Sequence, residues 1–241
     1  MHMIVFSRLA FLFALILPAT FAQQPPSASK SDADIVRGID AAVYQRLNAI
    51  PHYTVHEQYS IFRNGASTAA AEETIQTTYD RATGKDYKAL AQSGSSFLRS
   101  SVIDKVLAGE KELNLPANRE NAFITSHNYD LHPEPGIVEK NGRQCILVDL
   151  HPRRKSTHLF IGKAWVDASD FTVVRLEGKP SQSPSFFAGD TTVARDYIKV
   201  EGYSMATHAE ARSHSFLLGD TLLTIDYTGY QIEHSLTTAP K

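Results

Sequence analysis

Three strand-like segments follow one another in RQCILVDLHPRRKSTHLFIGKAWVDASDFTVVRLEG, residues 143–178. Residues 145–150 and 159–166 are apolar runs, and residues 171–176 are rich in β-branched side chains. The tetrapeptide Asp167-Ala168-Ser169-Asp170, between the last two runs, has the composition of a turn. The stretch therefore predicts three antiparallel neighbours in one sheet.

Side-chain alternation divides this predicted sheet into two faces if Val166 pairs with Phe171 across the turn. One face would carry Phe160, Ala164, Val166, Phe171, Val173 and Arg175. The other would carry Ile161, Lys163, Trp165, Thr172, Val174 and Leu176. Both faces are largely apolar and Trp165 should be substantially buried, which favours a sheet covered by helices on one side and curled around an apolar hollow on the other.

The first 22 residues have the pattern of a secretory signal peptide. Arg8 precedes an apolar run at residues 9–17, and Thr20-Phe21-Ala22 supplies small residues for cleavage before Gln23. The run is too short for a transmembrane helix, and no cysteine follows it for lipid attachment. Residues 23–31 indicate a disordered tether of Gln, Pro and Ser. We therefore expect an exported periplasmic protein whose residues 32–241 fold as one domain.

Outside the central stretch the sequence predicts two helices and two further groups of strands. A helix begins after a capping Ser31 or Asp32 and ends at Pro51, and a second is predicted at residues 100–115. Strands are predicted at residues 52–63, 74–81, 85–92, 191–200, 205–217 and 221–232. Residues 118–135 are predicted to form a loop with one helical turn.

Composition and motifs exclude several classes of function. A net charge of −2 gives no reason to expect nucleic acid or an anionic membrane as partner. The lone Cys145 cannot form an internal disulfide, so stability must come from burial. The sequence contains no metalloprotease, nucleophile-elbow or phosphate-loop motif, and His52 and His56 lie about 13 Å apart along their strand, too far for one metal. We expect no enzymatic activity, no metal and no cofactor.

Three motifs follow one another in the sequence: CILVDLHPRR at residues 145–154, GKAWVD at 162–167 and VRLEG at 174–178. Together with the order of helix, strands, helix and antiparallel meander, they resemble the LolA/LolB/RseB-like superfamily, and within it the branch of outer-membrane lipoprotein-sorting proteins. The resemblance implies a mainly β (α+β) fold, a single unclosed antiparallel half-barrel of about 9–11 strands wrapped over two or three helices around an apolar cavity.

The resemblance also implies a non-enzymatic periplasmic carrier or binder of acyl chains, lipoproteins or other apolar ligands, acting as a monomer with envelope membrane proteins as partners. The alternative is an envelope module of RseB type that senses a lipid or a peptide. The family's functional arginine has two candidate equivalents, Arg63 and Arg81, so neither is assigned. The predicted ligand-binding residues are Tyr53, Val55, Tyr59, Ile61, Phe160, Trp165, Phe171, Val173, Leu223, Ile225 and Tyr227.

Overall fold

The computed structural model describes residues 30–182, 190–215 and 219–234. The predicted signal peptide and most of the predicted tether lie outside these described residues, as does the end of the strand predicted at residues 205–217. Within the described part of the chain, no helix combines the length and the hydropathy needed to cross a membrane.

The described residues form one antiparallel sheet of eleven strands. The strands are β1 (His52–Arg63), β2 (Ala71–Asp80), β3 (Gly84–Gly94), β4 (Tyr129–Pro133), β5 (Val138–Lys140), β6 (Arg143–Pro152), β7 (Phe160–Asp167), β8 (Val173–Pro180), β9 (Thr191–Val200), β10 (Tyr203–Ser215) and β11 (Gly219–Glu233). Their spatial order is β3-β2-β1-β11-β10-β9-β8-β7-β6-β4, with β5 also paired to β6. Strands β3 and β4 stand at opposite ends and do not pair with each other, which confirms the predicted unclosed half-barrel.

Helix α1 (Asp32–Ala49) begins where the sequence predicts it, because the Ser31 side chain accepts a hydrogen bond from the backbone N–H of Asp34. It ends immediately before Ile50 and Pro51, since proline cannot continue a helix. Ile35 and Ile39 are buried on the sheet face that we call the inner face. Helix α1 therefore covers the strands of the central stretch.

The second helical region is longer and less regular than predicted. It comprises α2 (Ser96–Leu98), a π-helical turn (Arg99–Ile103) and α3 (Asp104–Leu113). Leu98, Val102 and Ile103 are buried in one apolar cluster with residues of β1, β2, β10 and β11. This region thus covers the other half of the inner face.

The predicted pairing of Val166 with Phe171 is wrong. Val166 pairs with Val173, and a bulge then places Trp165 opposite Arg175. The physical reason lies in the turn, where Phe171 adopts a left-handed backbone with φ of 60° and its ring fills the space beside Gly38 of α1. Arg175 consequently shares the outer face with Trp165.

Strand β4 occupies residues that the sequence predicts as loop. Tyr129 and Leu131 are buried against β6, and the Tyr129 hydroxyl accepts a hydrogen bond from the backbone N–H of Phe160 at 3.1 Å. The strand has only five residues, and the polar Asp130 and His132 alternate with the apolar ones, so its apolar pattern is too short to recognise.

Candidate functional site

A cavity of about 670 Å³ lies between the inner face of the sheet and helices α1 and α3. It separates three apolar clusters of the core, one under α1, one under the second helical region and one around Tyr53, Tyr79 and Met205. Protein interiors are normally packed without large voids, and small-molecule sites occupy about 300–1,000 Å³. The cavity therefore has the size of a ligand site.

Apolar side chains from both helices and from several strands form most of the cavity wall. They include Val43, Leu47, Val55, Val106, Leu113, Phe160, Leu176, Ala209, Leu223 and Ile225. Helix α1 contributes Val43 and Leu47 at helical spacing, and α3 contributes Val106 and Leu113 in the same way. Such a surface offers an acyl chain or a similar apolar group an environment without water.

Most of the residues predicted to bind a ligand are brought together at this cavity. The cavity-lining ones are Tyr53, Val55, Phe160, Phe171, Val173, Leu223, Ile225 and Tyr227. Their strands form two neighbouring pairs, β1 with β11 and β7 with β8, and β10 and β9 lie between these pairs in the sheet. Phe171 reaches the cavity from the turn before β8 instead of from a strand.

Three predicted residues lie elsewhere. Tyr59 and Ile61 point to the inner face, but they are fully buried beneath Leu98, Val102 and Ile103, outside the cavity. Alternation predicts which face a side chain takes, but it does not predict which helix covers that face.

Trp165 is the third of these residues, and the prediction that it lines the hollow is wrong. It is half-buried on the outer face, in a separate groove of about 550 Å³. The Lys140 ammonium lies 4.9 Å from the centroid of its ring. Trp165 is therefore neither a core residue nor part of the cavity wall.

An ion cluster is built into the cavity wall. Lys85 Nζ of β3 lies 2.8 Å from Glu110 Oε2 of α3, and Arg195 Nη2 of β9 lies 3.6 Å from Glu110 Oε1. The side chains of Lys85 and Glu110 remain 14% and 23% exposed, because they face the hollow. One carboxylate thus links two strands and a helix around the cavity.

The environment of this cluster favours its charged form. Burial raises the pKa of Glu110, but the charges of Lys85 and Arg195 outweigh burial and lower this pKa to about 2. Burial lowers the pKa of Lys85, but the Glu110 carboxylate holds it well above its usual range. The cluster therefore stays ionised at neutral pH.

Glu57 is a second buried acid on the inner face. It is 2% exposed and accepts a hydrogen bond from the Tyr59 hydroxyl at 2.6 Å. Sequence reasoning missed it, although alternation along β1 places position 57 on the face of Val55 and Tyr59. Glu110 was also missed, and its signal was an acid four residues after Val106 on the apolar stripe of α3.

Two arginines of the cavity wall lie near Tyr79, whose cross-strand partner is Lys85. Arg119 is buried, and its Nη1 donates to the Tyr79 hydroxyl at 2.9 Å while its Nη2 donates to the backbone carbonyl of Arg81. Arg46, in the last turn of α1, has its Nη2 3.5 Å from the thioether sulfur of Met205. The rings of Tyr53 and Tyr79 stack beside them with centroids 4.9 Å apart.

Arg63 and Arg81, the two candidate equivalents of the family's arginine, do not line the cavity. Arg81 instead donates to the backbone carbonyls of Asn48 and Leu47 at the end of α1. Across residues 30–182, 190–215 and 219–234, no group of three His, Cys, Asp or Glu side chains is arranged to hold a metal ion.

Fold and cavity together define an open antiparallel half-barrel with an internal, mainly apolar cavity. Solved structures similar to it include an outer membrane lipoprotein-sorting protein domain from Vibrio parahaemolyticus, with 11% identity, a TM-score of 0.47 and coverage of 86% of this chain and 96% of that chain. A LolA superfamily protein from Nitrosomonas europaea has 10% identity, a TM-score of 0.44 and coverage of 83% and 93%.

A DUF1329 family protein from Desulfovibrio piger has 13% identity, a TM-score of 0.41 and coverage of 85% and 95%. MucB matches more weakly, with 10% identity, a TM-score of 0.28 and coverage of 81% and 91% for MucB alone, and 11%, 0.27, 86% and 95% for MucB in complex with MucA. The superfamily that the sequence resembles is thus represented among the similar structures. No protein-family model matches the sequence, and no curated protein matches it.

Proposed function

We propose that this protein is a non-enzymatic carrier that binds an acyl chain or another apolar group in the cavity between sheet and helices. The observation that carries the proposal is an apolar-walled space of about 670 Å³ inside the protein. A folded core gains stability from close packing, so a hollow of this size lowers stability unless a ligand fills it.

The energetics of such a site suit a carrier. Each buried methylene contributes about 0.8 kcal/mol, so eight methylenes supply roughly 6 kcal/mol before the entropy of association is subtracted. An interaction of about 6 kcal/mol corresponds to a dissociation constant of about 40 μM at best, which is weak enough for the chain to be released. In this proposal the protein acts as a monomer in the periplasm, and its cargo is a lipoprotein or a free lipid passed between envelope membrane proteins.

Filling the cavity tests the proposal. Ala206 lines the cavity, and Ala206→Phe places a ring inside it. The wild-type protein should bind a neutral fluorescent apolar probe, N-phenyl-1-naphthylamine, at micromolar concentration, and the variant should bind it at least about tenfold more weakly. Ala91→Phe, on the exposed part of β3, is the matched control and should bind as the wild type does.

Circular dichroism establishes that each variant is folded. Absence of probe binding by the folded wild-type protein would refute the proposal, and so would equal binding by the wild-type protein and folded Ala206→Phe.

An envelope module that senses a lipid or peptide is the alternative, and the outer groove around Trp165 favours it. This groove carries Ile161, which is 44% exposed, together with charged side chains of β8 and β10. In a sensor, ligand binding in the cavity would change binding in the outer groove, whereas a carrier needs no such coupling. Decanol bound in the cavity should change the affinity of the groove for a peptide if the alternative holds.

A further inference from the structure

Two guanidinium groups at the Tyr79 end of the cavity have no carboxylate partner among the described residues. The partners of Arg119 are a tyrosine hydroxyl and a backbone carbonyl. The hydrogen-bond partner of Arg46 is the thioether of Met205, which is a weak acceptor, and Arg46 Nε is buried without any partner in the described chain. Both arginines line the cavity.

The other cations of the cavity wall are in a different situation. Lys85 and Arg195 share the carboxylate of Glu110. Lys105 is exposed to solvent. Arg46 and Arg119 are therefore the arginines of the cavity wall that have no carboxylate partner among the described residues.

Charge removed from water is unfavourable unless a counter-charge and hydrogen bonds replace the water. A guanidinium presents its N–H donors in a planar fork that matches the two oxygens of a carboxylate or a phosphate. An anion reaching Arg46 from the cavity would supply what that side chain lacks. Val55, Leu223 and Ile225 of the same wall carry no hydrogen-bond donor for an anion, but their apolar side chains can pack against an alkyl chain.

We propose that the cavity ligand is an anionic amphiphile, whose carboxylate or phosphate head is bound by Arg46 and Arg119 while its alkyl tail lies along the apolar wall. This inference rests on the proposed function and names the class of ligand. The phenol of Tyr79 adds a polar contact, because its hydroxyl accepts from Arg119 and keeps its own proton to donate to the head.

The pKa of Tyr79 agrees with this arrangement. Burial raises it, and the charge of Arg119 and then that of Arg46 oppose the rise. The Tyr79 hydroxyl, which accepts a hydrogen bond from Arg119, is thus under the positive charge of both guanidinium groups.

Ligands that differ only in the head group test the inference. Decanoate, decyl phosphate and decanol are titrated against protein carrying the neutral fluorescent probe, and displacement is measured. The two anions should displace the probe at concentrations at least about tenfold lower than decanol, the effect of one or two charge-assisted hydrogen bonds. Arg46→Met should remove this preference, because it should weaken displacement by the two anions more than displacement by decanol.

Arg37→Met is the matched control, because Arg37 lies on the same helix with 70% of its side chain exposed. It should keep the preference. If Arg46→Met is not folded by circular dichroism, Arg46→Gln takes its place, since it keeps polarity and removes charge.

The outcomes separate this inference from the proposed function. Equal displacement by decanol and decanoate would overturn the inference that the ligand has an anionic head, but it would not contradict the proposed carrier function. A protein that binds neither the neutral probe nor any decyl compound overturns both. Inorganic phosphate that binds as tightly as decyl phosphate, measured by calorimetry, shows a free-anion site and overturns the amphiphile.

Discussion

The carboxylate of Glu110 lies 2.8 Å from the ammonium of Lys85, and this pair joins helix α3 to the beginning of strand β3 inside the cavity. Strand β3 stands at one end of the sheet and pairs only with β2 among the described strands. The ion pair therefore fixes the position of α3, and with it one wall of the cavity, relative to the edge of the sheet.

Replacing Lys85 by Met should lower the free energy of unfolding by roughly 3 kcal/mol, the lower end of the cost of breaking a buried pair, because Arg195 remains near Glu110. Urea denaturation measures the loss. The control is Lys111→Met, which breaks the exposed pair of Lys111 with Asp86 between the same two elements and should cost at most about 1 kcal/mol. Equal losses in the two variants would contradict a special role for the cavity pair.

The pH dependence of stability should reveal Glu110. Its folded-state pKa of about 2 lies below the ordinary value of 4.5, so its contribution to stability is complete above about pH 4.5 and is lost as pH falls toward 2. The difference in unfolding free energy between wild type and Glu110→Gln should therefore shrink between pH 4.5 and pH 2. A difference that stays constant over this range would show that the carboxylate is not held ionised by its neighbours.

Trp165, which is the sole tryptophan, should report on the outer face and not on the cavity. Acrylamide should quench its fluorescence in the folded protein, and a decyl ligand in the cavity should leave its emission maximum unchanged. Trp165→Ala should cost about 1–2 kcal/mol, because the ring is half-buried, whereas Tyr129→Ala should cost about 3–5 kcal/mol because Tyr129 is fully buried. A larger loss for Trp165→Ala than for Tyr129→Ala would place the indole in the core.

Replacing each of two glycines by alanine should change the stability of the fold in opposite directions. A Cβ on Gly162 would lie 2.0 Å from the backbone carbonyl oxygen of Glu177 in the neighbouring strand, so Gly162→Ala should cost about 2–3 kcal/mol. A Cβ on Gly109 of α3 meets nothing within 4 Å, so Gly109→Ala should stabilise by about 0.5–1 kcal/mol through helix propensity. Thermal unfolding of both variants measures the signs, and a stabilising Gly162→Ala would mean that β7 and β8 are farther apart.

Local signals in the sequence are sufficient for much of this fold. The cap at Ser31 predicts the start of α1, and alternation predicts β1 and β9 with the bounds that the structure shows. The faces of Trp165 and Arg175 could not be predicted together, because a bulge in β8 shifts every pairing after Val173. The turn before β8 also places Phe171 against Gly38, a contact between residues far apart in the chain.

The candidate site was predictable only in part. Alternation placed Val55, Leu223 and Ile225 on the inner face, where the cavity lies. It could not distinguish them from Tyr59, because the helical turn at Arg99–Ile103 covers that residue through tertiary packing. The pair of Lys85 and Glu110 joins distant segments, and single-sequence patterns carry no record of such a pairing.

Strands β3 and β4, at the two ends of the sheet, each pair with a single neighbour among the described strands, and this has a mechanical consequence. In a closed barrel the strand number and stagger set the circumference, so the interior can widen only by breaking a hydrogen-bonded ladder. An open sheet has no such constraint, and it can flatten or curl with every ladder intact. In the proposed carrier, loading and unloading a molecule beneath the sheet would then require elastic bending and not local unfolding.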